Sequence, residues 1–176
     1  AHRGMGTTVV AAAFNPTSST MHVVHAGDSR AYHLRGEAIK QLPRDHSLLS
    51  DALLERHELT ASDLAYLPKN VITRALGIAP TVEVDAATIV AEVGDVFLLC
   101  SDGLHGLVED ELLMKIARDT TVLTDACARL VEAANRNGGK DNITAVLIRI
   151  EEDAEPWSRR SPGARAPSIV PGTTNG

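Results

Sequence analysis

Hydrophobic residues recur along the first 150 positions in two periods. Short alternating or continuous apolar runs, bounded by Gly, Asp and Asn, predict strands over 7–14, 20–26, 30–34, 38–42, 81–90, 95–100 and 142–150. Gly27-Asp28 and Arg35-Gly36 are turn pairs, so 20–42 reads as an antiparallel meander. Two runs are apolar on both faces: Val96-Phe97-Leu98-Leu99 and residues 143–148. Such strands are covered on both sides and are expected in the middle of a layered structure. Helical spacing takes over in 108–118, where Val108, Leu112, Leu113 and Ile116 share a face and Glu109, Asp110 and Glu111 crowd the start. A second stripe, Leu123, Cys127, Leu130, Val131 and Ala134, predicts a helix over 123–135 that Gly138-Gly139 ends. A weaker helix is expected over 48–57. Meander strands plus a helix pair give an α+β class.

Composition narrows the picture. The chain has 176 residues, 44% of them hydrophobic, enough for one domain with a substantial core. Aromatics are only 3%, so aliphatic residues must fill that core. A formal charge of −6 argues against a strongly basic nucleic-acid binder. No apolar run approaches the ~18 residues of a membrane helix. Cys100 and Cys127 are too few for a disulfide framework or a four-thiolate zinc site. Their apolar surroundings suit free thiols in a reducing compartment, here expected to be the cytoplasm. The chain opens Ala1-His2-Arg3 without a visible signal peptide and is expected to be internal to a longer protein. Residues 1–152 read as folded structure. Residues 153–176 hold four of the eight prolines and few aliphatics, as a flexible tail would.

Three acidic residues stand where chemistry could occur. Asp102 follows the apolar strand in Leu99-Cys100-Ser101-Asp102-Gly103. Asp141 opens another in Lys140-Asp141-Asn142-Ile143. Asp28 occupies the turn Gly27-Asp28-Ser29. Each alone reads equally as an ordinary turn or cap. Together they offer the oxygen donors that Mg²⁺ or Mn²⁺ takes, although spacing does not bring them together in space. His22 and His25 lie three apart on one strand and so point to opposite faces. His46 reads as a loop residue and His105 as an exposed one. No zinc-protease His pair, nucleophile elbow or phosphate loop is present. Cys100, inside its strand, is a poor nucleophile.

Taken in order, six segments resemble the bacterial type 2C class of metal-dependent Ser/Thr protein phosphatases. They are Met5-Gly6-Thr7-Thr8, Gly27-Asp28-Ser29-Arg30, Asp45-His46-Ser47, Thr73-Arg74-Ala75-Leu76-Gly77, Leu99-Cys100-Ser101-Asp102-Gly103 and Gly139-Lys140-Asp141-Asn142-Ile143-Thr144. The resemblance spans roughly residues 4–150. It implies an antiparallel β-sandwich flanked by helices in four layers, α-β-β-α, with a Mn²⁺ or Mg²⁺ centre of two ions at one end and a third ion besides. Asp102 and Asp141 match ligands of one ion, and Asp28 matches a ligand of the third. Residues around 45–75 match a variable flap beside the site. The implied reaction is hydrolysis of phosphoserine or phosphothreonine in proteins by a metal-activated water, without a covalent enzyme intermediate. Phosphoproteins, with a Ser/Thr kinase, are the implied partners.

The departure from the family pattern lies at the N-terminal side. The Asn-Glu-Asp and Asp-Gly-Met-Gly-Gly-His segments, which supply a bridging aspartate, a phosphate-binding arginine and a proposed acid histidine, are absent from this sequence. The chain is therefore expected to be the C-terminal part of such a domain, lacking its N-terminal portion and inactive alone. The competing reading is a non-catalytic, phosphatase-like binding or regulatory module.

Overall fold

The two hydrophobic periods become two antiparallel sheets and a helix layer in the computed structural model, which describes residues 4–55, 68 and 71–152. Strands β1 (Val9–Asn15), β2 (Thr20–Ala26) and β5 (Asp85–Val90) form one sheet in the order β1-β2-β5. Strands β3 (Arg30–Arg35), β4 (Ala38–Leu42), β6 (Val96–Cys100) and β7 (Ala145–Arg149) form the other, in the order β4-β3-β6-β7. The helices are α1 (Leu48–Glu55), α2 (Asp102–His105), α3 (Asp110–Asp119) and α4 (Leu123–Arg136).

Strand β6 explains the layering. All five of its residues are buried. Phe97 and Leu99 pack with Met21, Val23 and Ala31 between the two sheets. Val96, Leu98 and Cys100 face the opposite way, into a second core with Leu104, Leu113, Ile116, Leu130 and Ala134 of the helices. The doubly apolar run at 96–99 is thus central, as its pattern predicts. The run at 143–148 is not. Strand β7 lies at the sheet edge, and Val146 is 43% exposed. An apolar run records a preference for burial on each face but not whether a neighbouring strand exists on each side.

The expected helices 108–118 and 123–135 appear as α3 and α4. The start of α3 shifts because Glu109 has extended backbone and serves as its N-cap, leaving Asp110 and Glu111 in the first turn. Helix α4 ends where Gly138 and Gly139 take positive φ (120° and 49°) and the Gly139 N–H reaches the Ala134 carbonyl. The strand expected over 81–90 shortens to Asp85–Val90. Most of the middle of the predicted flap and the end of the 48–57 helix, like the tail, fall outside the described residues.

Among the described residues, α2, α3 and α4 pack on the four-stranded sheet. The outer face of the three-stranded sheet exposes Ala11, Ala13, His22, Val24, Ala86 and Thr88. At one end of the sandwich, buried Asp95 takes a forked pair of hydrogen bonds from Arg35 (2.8 and 2.7 Å) and one from the Glu92 N–H. Burial opposes the Asp95 charge, yet these donors outweigh it and hold the carboxyl at about 2.

Candidate metal centre

Strand register gathers the chemical segments at the opposite end. Arg30 lies across from Cys100, Cys100 from Ala145 and Ala31 from Leu42 in one sheet. Val9 lies across from Ala26, and His25 from Asp85, in the other. The turn 27–29 and the segments 43–47, 101–103 and 140–144 therefore all leave the sheets on the same side. Sequence spacing alone could not establish this convergence.

Asp102 begins α2 directly after β6. Ser101 fixes that junction. Its hydroxyl donates to the Asn142 carbonyl (3.0 Å) and accepts from the Thr144 N–H (3.0 Å). The Ser101 backbone N–H also reaches the Thr144 carbonyl. Buried Gly103 faces the Asn142 carbonyl so closely that a Cβ there would collide with it. The loops carrying Asp102 and Asp141 are thus stitched together. Both side chains are exposed, and each accepts the N–H of the residue after it: Gly103 at 2.9 Å, Asn142 at 2.7 Å.

Asp28 comes from the other direction. Gly27, with φ 118° and Thr8 against it, gives the turn a conformation and closeness that a side chain would disrupt. The Thr8 and Ser29 hydroxyls hydrogen-bond at 2.8 Å. Burial, and next the negative charge of Asp102, push the Asp28 carboxyl above its ordinary value. Asp28 and Asp102 therefore repel each other across the end of the sandwich, an arrangement that a divalent cation relieves. The donors are carboxylates, the chemistry preferred by Mg²⁺ and Mn²⁺. Among the described residues, no three His, Cys, Asp or Glu side chains already stand together as a chelating group.

Several residues around the site escape sequence reading. His105, expected to be exposed, is half-buried and donates Nε2–H to the Asp28 carbonyl at 2.9 Å. Burial, then the charge of Arg30, lower its pKa. His46, expected to be a loop residue, is 2% exposed. Its Nδ1 accepts the Gly27 N–H (3.2 Å), leaving Nε2–H for Asp85 (3.2 Å), which Arg74 also holds at 3.1 Å. His46 backbone groups bind Gly27 and Thr73, so the Asp45-His46-Ser47 and Thr73-Arg74 segments lock onto the Asp28 turn. Arg30 grips Asp45 with both Nε (2.8 Å) and a terminal nitrogen (2.7 Å), and reaches the Tyr32 hydroxyl at 2.9 Å. The one legible signal for these roles was the clustering of His, Arg and Asp in short turn segments.

The protein phosphatase 2C family model matches residues 1–143. The chain belongs to this protein phosphatase 2C family. Protein phosphatase PhpP of Streptococcus pneumoniae is 40% identical over 157 residues, 88% of this chain and 63% of its own. The Mycobacterium tuberculosis serine/threonine phosphatase PstP/Ppp superposes with a TM-score of 0.76 at 34% identity, over 85% of this chain and 62% of that one. The catalytic domain of PstP solved with two manganese ions gives 0.73 at 33% identity, over 85% and 61%. This type 2C family chain thus spans less than two thirds of the length of these relatives. Their folds carry the same combination of antiparallel sheets and helices.

Proposed function

We propose that this chain supplies part of the metal centre of a phosphatase acting on phosphoserine and phosphothreonine in proteins. The observation that carries the reading is the strand register that brings the family segments bearing Asp28, Asp102 and Asp141 to one end of the sandwich, where the charge of Asp102 adds to burial in pushing the Asp28 carboxyl up. Asp28, Asp102 and Asp141 are the residues that would hold Mn²⁺ or Mg²⁺. Two such ions, with a third at Asp28, would lower the pKa of a water and neutralise phosphoryl oxygens. The chain's own part is to fix the carboxylates. Ser101 joins the Asp102 and Asp141 loops, and the His46 and Thr8 contacts brace the Asp28 turn.

A covalent route finds no support in the nearest thiol. Burial raises Cys100 to about 12, leaving it protonated at neutral pH. Both cysteines are free, which suits the reducing cytoplasm. Among the described residues no helix is long and apolar enough to cross a membrane. Substrates of this reading are phosphoproteins, those of a cognate Ser/Thr kinase among them. The 176 residues correspond to the C-terminal part of the domain and have little or no activity alone. The share of each relative that is matched, 61–63%, supports the chain's being part of such a domain.

The test is a chimera in which residues 4–150 replace the matching part of the Streptococcus pneumoniae phosphatase. It is expected to hydrolyse a phosphothreonine peptide with Mn²⁺. Asp102→Ala and Asp141→Ala should each lower kcat/KM by about a hundredfold or more, on the order of 3 kcal/mol. A folded chimera without activity, or one indifferent to both substitutions, overturns the catalytic reading in favour of a non-catalytic module.

A further inference from the structure

Helix α2 is one turn long, yet each of its residues has a distinct contact. Leu104 is fully buried in the helix-side core. Gly103 lies against the Asn142 carbonyl. Asp102 and His105, at i and i+3, share the remaining face. That face meets the β2–β3 turn: the charge of Asp102 acts on the Asp28 carboxyl, and His105 Nε2–H reaches the Asp28 carbonyl at 2.9 Å. The carbonyl can only accept, so Nε2 carries the proton. The bond joins residues 77 apart in sequence. Among the described residues it is the one side-chain hydrogen bond between α2 and the Asp28 turn. Without it, repulsion between Asp28 and Asp102 would act to separate the two elements.

We propose that His105 is a positioning residue which sets the separation of the Asp28 and Asp102 carboxylates, and through it the affinity for a divalent cation shared between them. The inference rests on reading those two residues as metal ligands. His105 touches no ion. It holds a backbone carbonyl of one ligand residue from a side chain on the helix of the other. Partners one step removed from a metal typically alter its affinity by about 10–100-fold when lost. The role needs a donor at the reach of Nε2, which a Gln amide supplies and a Phe ring does not.

The experiment is isothermal titration of the full 176-residue chain with MnCl₂, for the unaltered protein and for His105→Phe, His105→Ala, His105→Gln and Asp102→Asn. Thermal unfolding without metal is recorded for each. The expected result is loss of Mn²⁺ binding in Asp102→Asn and a Kd raised about tenfold or more in His105→Phe and His105→Ala. His105→Gln should bind within about threefold of the unaltered chain. Rescue by Gln separates positioning from packing, because Gln restores the donor but not the ring. If one donor-less variant does not fold, the other makes the same comparison. Should Asp102→Asn lose binding while the donor-less variants keep it, or should Gln bind as poorly as Ala, the positioning role is overturned and the metal reading stands. If neither the unaltered chain nor the chimera carrying residues 4–150 binds Mn²⁺, or Asp102→Asn binds as well as the unaltered protein does, the metal reading fails and the proposal with it; where only the chimera binds, the same variants are compared in it.

Discussion

His25 is 1% exposed, and neither ring nitrogen has a hydrogen-bond partner. It sits beside His46, the ring centroids 4.5 Å apart. Burial, then the His46 ring, depress its pKa. The folded chain therefore keeps His25 neutral at pH values where the unfolded chain, near 6.5, takes up a proton. Stability contributed this way is present above pH 6.5 and lost as pH falls through that value, because the unfolded state then binds more protons. An apolar residue of similar volume removes both the unpaired nitrogens and the titration. His25→Leu is expected to raise stability at pH 7 by about 1 kcal/mol and to flatten its fall between pH 7 and 5, measured by urea unfolding. A loss of more than about 1 kcal/mol would mean that His25 is satisfied by something else. Nothing in the residues around His25 signals this environment. Alternation put His25 opposite His22 in strand β2, and correctly so, since His22 is exposed. What it could not state is that His46, 21 positions on, closes over that face.

At the scale of elements, periodicity was informative where an element's own faces decide its fate. The bounds expected for β2 and β4 match those observed, and both amphipathic helices lie where their apolar stripes put them. Periodicity was silent on neighbours. Nothing in residues 143–148 distinguishes an edge strand from a central one, and the end of β6 does not announce that it will lie against Asn142. Helix α2 is the element on which the site depends most. Its approach to the β7 loop is possible because residue 103 has no side chain. Gly103→Ala forces the Asn142 carbonyl and α2 apart, and should cost about 1–3 kcal/mol. A thermal melt would register this as a clear drop in Tm. An unchanged Tm would show that the loop yields freely and that the junction is not tightly built.

For the molecule as a whole, the layout separates stability from chemistry. The Asp95 end is closed by a buried carboxylate whose charge Arg35 neutralises. At the opposite end Asp102 and Asp141 are exposed, and Asp28 carries a raised pKa. That raised value means Asp28 destabilises the fold as pH rises above the ordinary carboxylate range, where the unfolded chain ionises more readily. A cation bound there would reverse the penalty. The candidate ligands were legible in the sequence as Asp beside Gly or Asn at strand ends. Their convergence was not, because it depends on the register of two sheets.

The most direct test follows the backbone amides of the isotope-labelled chain by NMR while Mn²⁺ is added in substoichiometric amounts. Paramagnetic broadening reports distance from the bound ion. The account predicts that amides at 28–29, 102–103 and 141–142 broaden together and first, with the Asp95 end unaffected. Broadening confined to a single one of these loops, or scattered over unrelated surface carboxylates such as Glu37 and Glu132, would contradict it.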